Sequence, residues 1–381
     1  MKIVSVMTTQ SAGGAEFAAI ELLDALAARG HDVVMLSNRP DIGRGTAVRV
    51  QPVDLGPKLA VRTWRRLVLG FPQLIRGIRA ALVEAGPFDV LLVHYKKEQL
   101  LAGLLSRRVA PRVVWAEWGP VPFPLRRGLP RALYLAAARR ASAVMAISEG
   151  TRTSVSDVGV PAEKVAVVPN VMRADELAYS EDGRRRVRAE LGIPDDAFVV
   201  GAISRFHPKK RNDVVVDATV ALDDLNVHLV LAGDGETEAD LRRRAEPLGE
   251  RCHVVATPGP EVADVLSAFD VSVFCPSPTE GAPRAVILAM LAGRACVSTG
   301  AEGVHDLIPT DGGHILSPEN DVDALRTVLA RYRDDPGLRA RHGAVAAAHA
   351  IATFDRDVVA ARAETVLAGT APGTASAEAL R

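Results

Sequence analysis

Short apolar runs alternate along the chain with longer stretches in which apolar residues recur every three or four positions. The first pattern predicts buried strands and the second amphipathic helices, and their alternation predicts parallel sheets with crossover helices. In the first half, strands are expected at 2–7, 32–37, 88–93, 112–117, 143–147 and 165–168. A helix from Ala15 to Ala28 follows the first strand, and Gly30 ends it as a C-cap glycine. A second series begins at Phe198, with strands at 198–204, 227–233, 252–256, 271–275, 295–299 and 314–317. Helices are expected between them at 212–222, 237–246, 261–269, 283–293 and 321–332. Each series has the layout of a doubly wound α/β domain. Ligands bind such sheets at the carboxyl ends of the strands, where strand order reverses. Two of these sheets facing each other would hold a site in the cleft between them.

At 381 residues the chain exceeds what one hydrophobic core supports. The expected division is a first domain at 1–175, a charged linker at 176–196 and a second domain at 197–350. A helix at 351–367 then returns to the first domain, and 368–381, rich in Ala, Gly, Thr and Ser, forms a disordered tail. With 48% apolar and 24% charged residues the composition is that of an ordinary globular protein. No apolar run approaches the ~18 residues of a membrane span, and the amino terminus reads as a strand rather than a signal peptide. Cys252, Cys275 and Cys296 lack metal-ligand spacing and sit in strand-like segments, as buried thiols of a reducing compartment do. A cytoplasmic location is expected, or a peripheral one at the inner face of the membrane.

The zero net charge hides an asymmetry. Residues 1–172 hold 23 Lys and Arg against 13 Asp and Glu, and residues 173–381 hold 23 against 33. Most of the basic excess falls between Lys58 and Arg140, with 16 positive and 4 negative side chains. Such a field attracts an anionic partner, or is simply a well-solvated surface. Within 61–79, Trp64, Leu67, Val68, Phe71, Leu74, Ile75 and Ile78 share a helical face beside Arg side chains. That face suits either peripheral membrane contact or packing on its own sheet.

Four stretches carry candidate chemistry. Gly13 and Gly14 join the first strand to the first helix, where glycines admit a ligand close to the backbone or merely tighten a turn. Their spacing is not that of a dinucleotide fingerprint. Ser204-Arg205-Phe206-His207-Pro208-Lys209-Lys210-Arg211 is a cationic loop after a strand. Arg205 offers a planar fork for two phosphate oxygens and Lys210 a mobile point charge, as a diphosphate clamp requires. Gly233-Asp234-Gly235 turns the chain after another strand, a structural role. Glu280, with Gly281, Ala282, Pro283, Arg284 and Ala285, lies in a Pro/Gly-rich turn entering a helix. There a carboxylate can bond sugar hydroxyls while free amides hold phosphate. His94, at the end of the 88–93 strand, is either a satisfied core histidine or a partner for an acceptor or donor hydroxyl.

In order and spacing these residues, with Ala146-Ile147-Ser148-Glu149 and Val165-Ala166-Val167-Val168-Pro169-Asn170, resemble the retaining glycosyltransferases of family 4. The resemblance spans nearly the whole chain and implies the GT-B fold, two facing Rossmann-like doubly wound α/β domains. It implies that Arg205 and Lys210 bind the diphosphate of a nucleoside-diphosphate-sugar donor, with the Gly13–Gly14 turn approaching it from the facing domain. Glu280 would contact the donor sugar, and residues 281–285 would line the sugar-phosphate site. The loop of Pro258, Gly259 and Val262 would accept the nucleotide base. Family enzymes need no metal and no cofactor, since cations and helix starts neutralise the leaving diphosphate. The acceptor would be a glycan, a lipid-linked sugar or a small-molecule glycoside; no nucleic-acid partner is expected.

Three positions depart from the family pattern. The second glutamate, eight positions after Glu280, which grips the ribose, is Leu288 here. Glu117 stands where many members carry a histidine beside the reacting sugar, and is read as a base or electrostatic stabiliser. Val171 replaces the glycine after Asn170. The function implied is metal-independent sugar transfer to an acceptor hydroxyl with retained anomeric configuration. A nucleotide-sugar epimerase or hydrolase on this fold, or a non-catalytic GT-B partner subunit, remains open from the residues alone.

Overall fold

A computed structural model describes residues 1–8, 14–54, 56, 64–105, 107–256, 259, 261–277, 283–301, 303–305, 307–317 and 322–369, with only the backbone described at 40 and 64–69. The chain divides into two units, Met1–Met172 with Arg356–Arg381, and Arg173–Asp355.

The first unit runs β1 (Lys2–Met7), α1 (Gly14–Ala28), β2 (Asp32–Ser37), β3 (Arg49–Pro52), α2 (Trp64–Glu84), β4 (Val90–Val93), α3 (Lys96–Gly103), β5 (Arg112–Glu117), α4 (Gly128–Ala138), β6 (Ala143–Ala146), α5 (Glu149–Val158) and β7 (Val165–Val167). All seven strands are parallel, in the order β3-β2-β1-β4-β5-β6-β7. Apart from the edge strand β3, the strands are apolar at nearly every position because both faces are covered. Val4 and Val6 of β1 join one core with Ile78, Leu101, Trp115 and Tyr134, while Ile3 and Met7 join the other with Leu23 and Leu26 of α1.

In α2, Phe71, Leu74 and Ile75 pack on the first of these cores, and Ile78 is fully buried. The described part of the 61–79 apolar face is therefore turned onto its own sheet, not outward to a membrane. β3 is a short edge strand that the apolar pattern does not reveal. Its four residues, Arg-Val-Gln-Pro, alternate too weakly and end in proline.

The second unit runs α6 (Glu181–Leu191), β8 (Phe198–Ile203), α7 (Asn212–Val220), β9 (Val227–Ala232), α8 (Glu238–Arg244), β10 (Cys252–Val255), α9 (Val262–Ala268), β11 (Val271–Phe274), α10 (Arg284–Leu291), β12 (Ala295–Thr299), β13 (Gly313–Leu316), α11 (Val322–Asp334) and α12 (Pro336–Phe354). Its six strands are parallel in the order β10-β9-β8-β11-β12-β13. Both sheets are thus doubly wound, as expected.

Two segments differ from the sequence reading. Residues 181–191, assigned to a linker, form α6 and pack on α9 within the second unit. Arg188 fastens α6: fully buried, it donates to the carbonyls of Ala268, Pro194, Asp195 and Ala197 and pairs with Asp270 at 2.8 Å. A charged stretch suggests solvent, but this arginine is spent inside. The chain also forms α12, an Ala-rich helix whose small side chains give a weak apolar period. α13 (Arg356–Ala368) follows, and its Val359, Ala360, Ala363 and Leu367 enter the α1 core of the first unit. Arg356 bonds Asp24 at 2.8 Å, and Glu364 holds Arg29 and His31 at 2.6 and 2.9 Å.

Candidate functional site

Strand order reverses between β1 and β4 in the first unit and between β8 and β11 in the second. The carboxyl ends of these pairs are where a doubly wound sheet presents a ligand site.

In the second unit, β8 runs into the cationic loop. Arg205 is exposed and, among the described residues, has no ion-pair partner. Lys210 lies with Nζ 5.3 Å from the Phe274 ring centroid, so its charge stands at the end of β11. The loop is shaped by its own bonds: the Lys209 amide donates to His207 Nδ1 at 3.1 Å, and Asn212 is joined to Ser204 at 3.0 Å. It is also tied across the switch point, where the Ser277 amide donates to the Lys209 carbonyl at 2.8 Å. Two cations on a loop braced at both ends are preorganised for a diphosphate.

Gly233 and Gly235 make this bracing feasible. Both have positive φ, and a Cβ on Gly233 would sit 2.0 Å from the Ser204 carbonyl oxygen, one on Gly235 2.4 Å from that of Phe206. The close approach lets the Phe206 amide donate to the Asp234 carbonyl at 2.7 Å. The motif is thus structural, and what it positions is the cationic loop.

Beyond β11, Pro283 is buried and caps α10, whose first turn contains Arg284 and Ala285, both half-buried. Leu288 is half-buried one turn further on. In the expected base loop, Gly259 is exposed and Val262 opens α9. Gly259 lines a cavity of about 400 Å³ with Val187, Leu191, Val230, Val255 and Ala256. Glu280, Gly281, Ala282 and Pro258 lie outside the described residues, as does Gly13; Gly14, exposed, is the first residue of α1.

In the first unit the two expected catalytic groups prove to be spent on the protein. His94 is 2% exposed. The Trp118 indole N–H donates to His94 Nδ1 at 3.2 Å, and His94 Nε2 lies 2.7 Å from Ser5 Oγ. An indole only donates, so Nδ1 is the acceptor and the proton of the neutral ring is on Nε2, directed at Ser5. Burial drives the imidazole pKa down to about 3, and the ring stacks on Trp118 at 5.7 Å. Both nitrogens are occupied, so neither is left to bond a substrate hydroxyl. The core-histidine alternative describes it.

Glu117 is likewise enclosed. Its carboxylate accepts from Lys96 Nζ on both oxygens, from Gln99 Nε2 at 3.1 Å and from Tyr134 O–H at 3.1 Å. Burial and the adjacent carboxylate push the Tyr134 pKa upward, keeping its proton on the phenol as a donor. Both oxygens of Glu117 are thus engaged within the protein, and its charge is paired with Lys96. The group that reaches solvent is Lys96, whose side chain is 17% exposed against 4% for Glu117. Lys96 also stands 4.9 Å from the Tyr134 ring centroid. It was missed because a lysine beside another lysine at a helix start reads as a solvated face.

His94 and Glu117 also belong to different layers. Ser5 lies on the α1 face of the sheet, between Ile3 and Met7, while Gln99 and Tyr134 come from α3 and α4 on the other face. Between them, at the switch point, the Thr8 amide donates to buried Glu98 at 3.3 Å. Burial raises the Glu98 pKa, and its Oε2 and Thr8 Oγ1 find no hydrogen-bond partner among the described residues. Glu16, in the first turn of α1, accepts from Tyr95.

No group of three or more metal-ligating side chains occurs among the described residues. Cys275 and Cys296 are buried free thiols whose pKa values burial pushes up to about 12.

Comparison with known proteins aligns with this architecture. The profile described as Glycosyltransferase Family 4 matches residues 12–176, and that of Glycosyl transferases group 1 matches 197–335. The D-inositol 3-phosphate glycosyltransferase of Streptomyces avermitilis is 29% identical over 378 residues, covering 90% of this chain and 80% of that protein. The Escherichia coli UDP-Gal:alpha-D-GlcNAc-diphosphoundecaprenol alpha-1,3-galactosyltransferase is 24% identical over 277 residues, covering 68% and 69%. Among solved structures, Anabaena HepE in complex with UDP superposes with a TM-score of 0.82 at 20% identity, covering 97% of this chain and all of that one.

Proposed function

Because the chain belongs to the family 4 glycosyltransferases and has their GT-B fold, we propose that this enzyme transfers a sugar from a uridine diphosphate donor with retained configuration. Sugar transfer from a nucleotide-sugar donor is the family's activity; the base, the stereochemistry and the residue roles are the proposal. The observation that carries it is the braced cationic loop at the β8/β11 switch point. Arg205 grips the donor diphosphate and Lys210 adds charge to the oxygens that become the leaving group. Pro283, Arg284 and Ala285, at the start of α10, line the sugar-phosphate site, where the positive end of the helix dipole favours an anion. Glu280 contacts the donor sugar, and the segment from Pro258 to Val262 receives the base.

The acceptor oxygen forms a bond to the anomeric carbon on the face from which the phosphate departs. The leaving phosphate takes the acceptor's proton, so no protein nucleophile is needed. Cationic side chains do the neutralising that a metal does elsewhere, and the reaction runs without one. UDP is favoured by the UDP-bound HepE structure and by the UDP-Gal named for the Escherichia coli relative. The acceptor carries phosphate: both named relatives act on phosphorylated acceptors, and the first half of this chain holds 23 basic against 13 acidic residues. Lys96, braced by Glu117, is the cation we assign to that acceptor. Buried free thiols suit a cytoplasmic setting.

The test is Arg205→Ala, assayed for UDP release from UDP-sugars and for UDP binding by calorimetry. A loss of at least a hundredfold in turnover is expected. Turnover near that of the parent protein would remove the assignment.

A further inference from the structure

α4 and the turn before it leave apolar side chains in solvent that the fold has every opportunity to bury. Phe123 is 67% exposed, Leu129 71% and Leu133 54%. Leu129 and Leu133 are four residues apart and so share one helical face, whereas Tyr134, Ala137 and Ala138 of the same helix are buried. Phe123 belongs to the 3-10 turn Phe123–Arg126, which packs on α4. Single exposed leucines need no explanation, but three large apolar groups on contiguous elements do.

The charges around them have one sign. Arg126, Arg127 and Arg131 are exposed, and no Asp or Glu occurs between Glu117 and Glu149. Arg127 lies over the Phe123 ring at 5.3 Å, with its charge at the edge of the apolar surface. Arg126 and Arg131 are held in place by bonds to the carbonyls of Val121 and Val158. α5, which these bonds place alongside, adds Glu149, already paired with Arg152 at 2.8 Å, and Asp157. The balance of the patch stays cationic. Fixed arginines rimming projecting Phe and Leu side chains match the interface of an anionic bilayer, where apolar groups enter among the acyl chains and guanidinium groups meet phosphate. A polar ligand would leave the apolar groups unused. No described helix is long and apolar enough to cross a membrane, so the contact is peripheral.

We propose that Phe123, Leu129 and Leu133, with Arg126, Arg127 and Arg131, form a docking surface for an anionic lipid bilayer. The turn starts six residues after Glu117, so docking there brings the Lys96–Glu117 end of the first unit toward the bilayer, where a lipid-linked acceptor would be presented. The surface binds lipid whether or not the donor reading holds.

The experiment is sedimentation of the whole protein with vesicles of phosphatidylcholine alone or mixed with phosphatidylglycerol. Binding to the mixed vesicles, at least tenfold tighter than to the neutral ones and weakened by 0.5 M salt (about a threefold shorter screening length than at 0.05 M), is expected. The triple variant F123S/L129S/L133S should lose at least tenfold in vesicle affinity, and R127E alone severalfold. Since all four positions are exposed, circular dichroism and UDP calorimetry should be unchanged, which separates failure of this surface from failure of the donor site. Equal sedimentation of the parent and triple variant overturns the proposal. So does absence of binding at low salt, or a parent dimer in solution that the triple variant converts to monomer.

Discussion

The Trp118 indole N–H donates to Nδ1 of His94 across 3.2 Å, and this single bond fixes the tautomer of a ring that Ser5 completes on the other side. A histidine so enclosed is held neutral, with its pKa driven by burial to about 3.

Acid should therefore destabilise the first unit through His94. The unfolded ring titrates near 6.5 and the folded one near 3, so between these values the unfolded state binds the extra proton. Stability from this group is complete above about pH 6.5 and falls as pH drops toward 3. At pH 5 the loss is roughly 2 kcal/mol. Urea unfolding of the parent protein and of His94→Gln at pH 7.5 and 5.0 checks it; an equal acid loss in both would contradict the burial argument.

Removing Lys96 should hurt more than removing its charge partner as well. Lys96→Met leaves the Glu117 carboxylate buried with only Gln99 and Tyr134, at a cost of about 3–5 kcal/mol. Lys96→Met combined with Glu117→Gln should recover at least half of this. Thermal unfolding of the single and double variants measures the coupling, and additive effects would mean that the pair is not one unit.

At Gly233 a methyl group should act on ligand binding through the cationic loop. Its φ is +158° and the new Cβ would meet the Ser204 carbonyl oxygen at 2.0 Å, so β8 and β9 must part at their ends. Gly233→Ala is expected to cost about 1–3 kcal/mol in stability and at least tenfold in UDP affinity by calorimetry. An unchanged UDP affinity would show that the turn does not position Arg205.

Leu288 is half-buried on α10, where the resemblance expects a ribose-binding glutamate. Leu288→Glu supplies the missing acceptor, and one hydrogen bond to a charged group is worth about 1.5–3 kcal/mol. UDP affinity should rise by about tenfold to a hundredfold, with less gain for a ligand lacking ribose hydroxyls. Equal or weaker UDP binding would mean that this chain seats its ribose elsewhere.

By itself the sequence determined the two doubly wound units, because strands buried on both faces must be apolar throughout and crossover helices must carry a 3.6-residue period. It also determined the cationic loop: Arg205 and Lys210 after β8 are local facts of composition, as are the glycines that brace them. Short β3 and Ala-rich α12 were hidden, since neither has the apolar contrast that such periods need. Only the tertiary structure decided what the buried polar side chains do. Glu117 and His94 look like free catalytic groups until Lys96, Gln99, Tyr134, Ser5 and Trp118 arrive from other elements and use every oxygen and nitrogen. The same is true of Arg188, which draws a charged stretch into the second unit as α6. A side chain's chemistry is written in its type, but its availability depends on partners tens of residues away, and those are set only when the chain has folded.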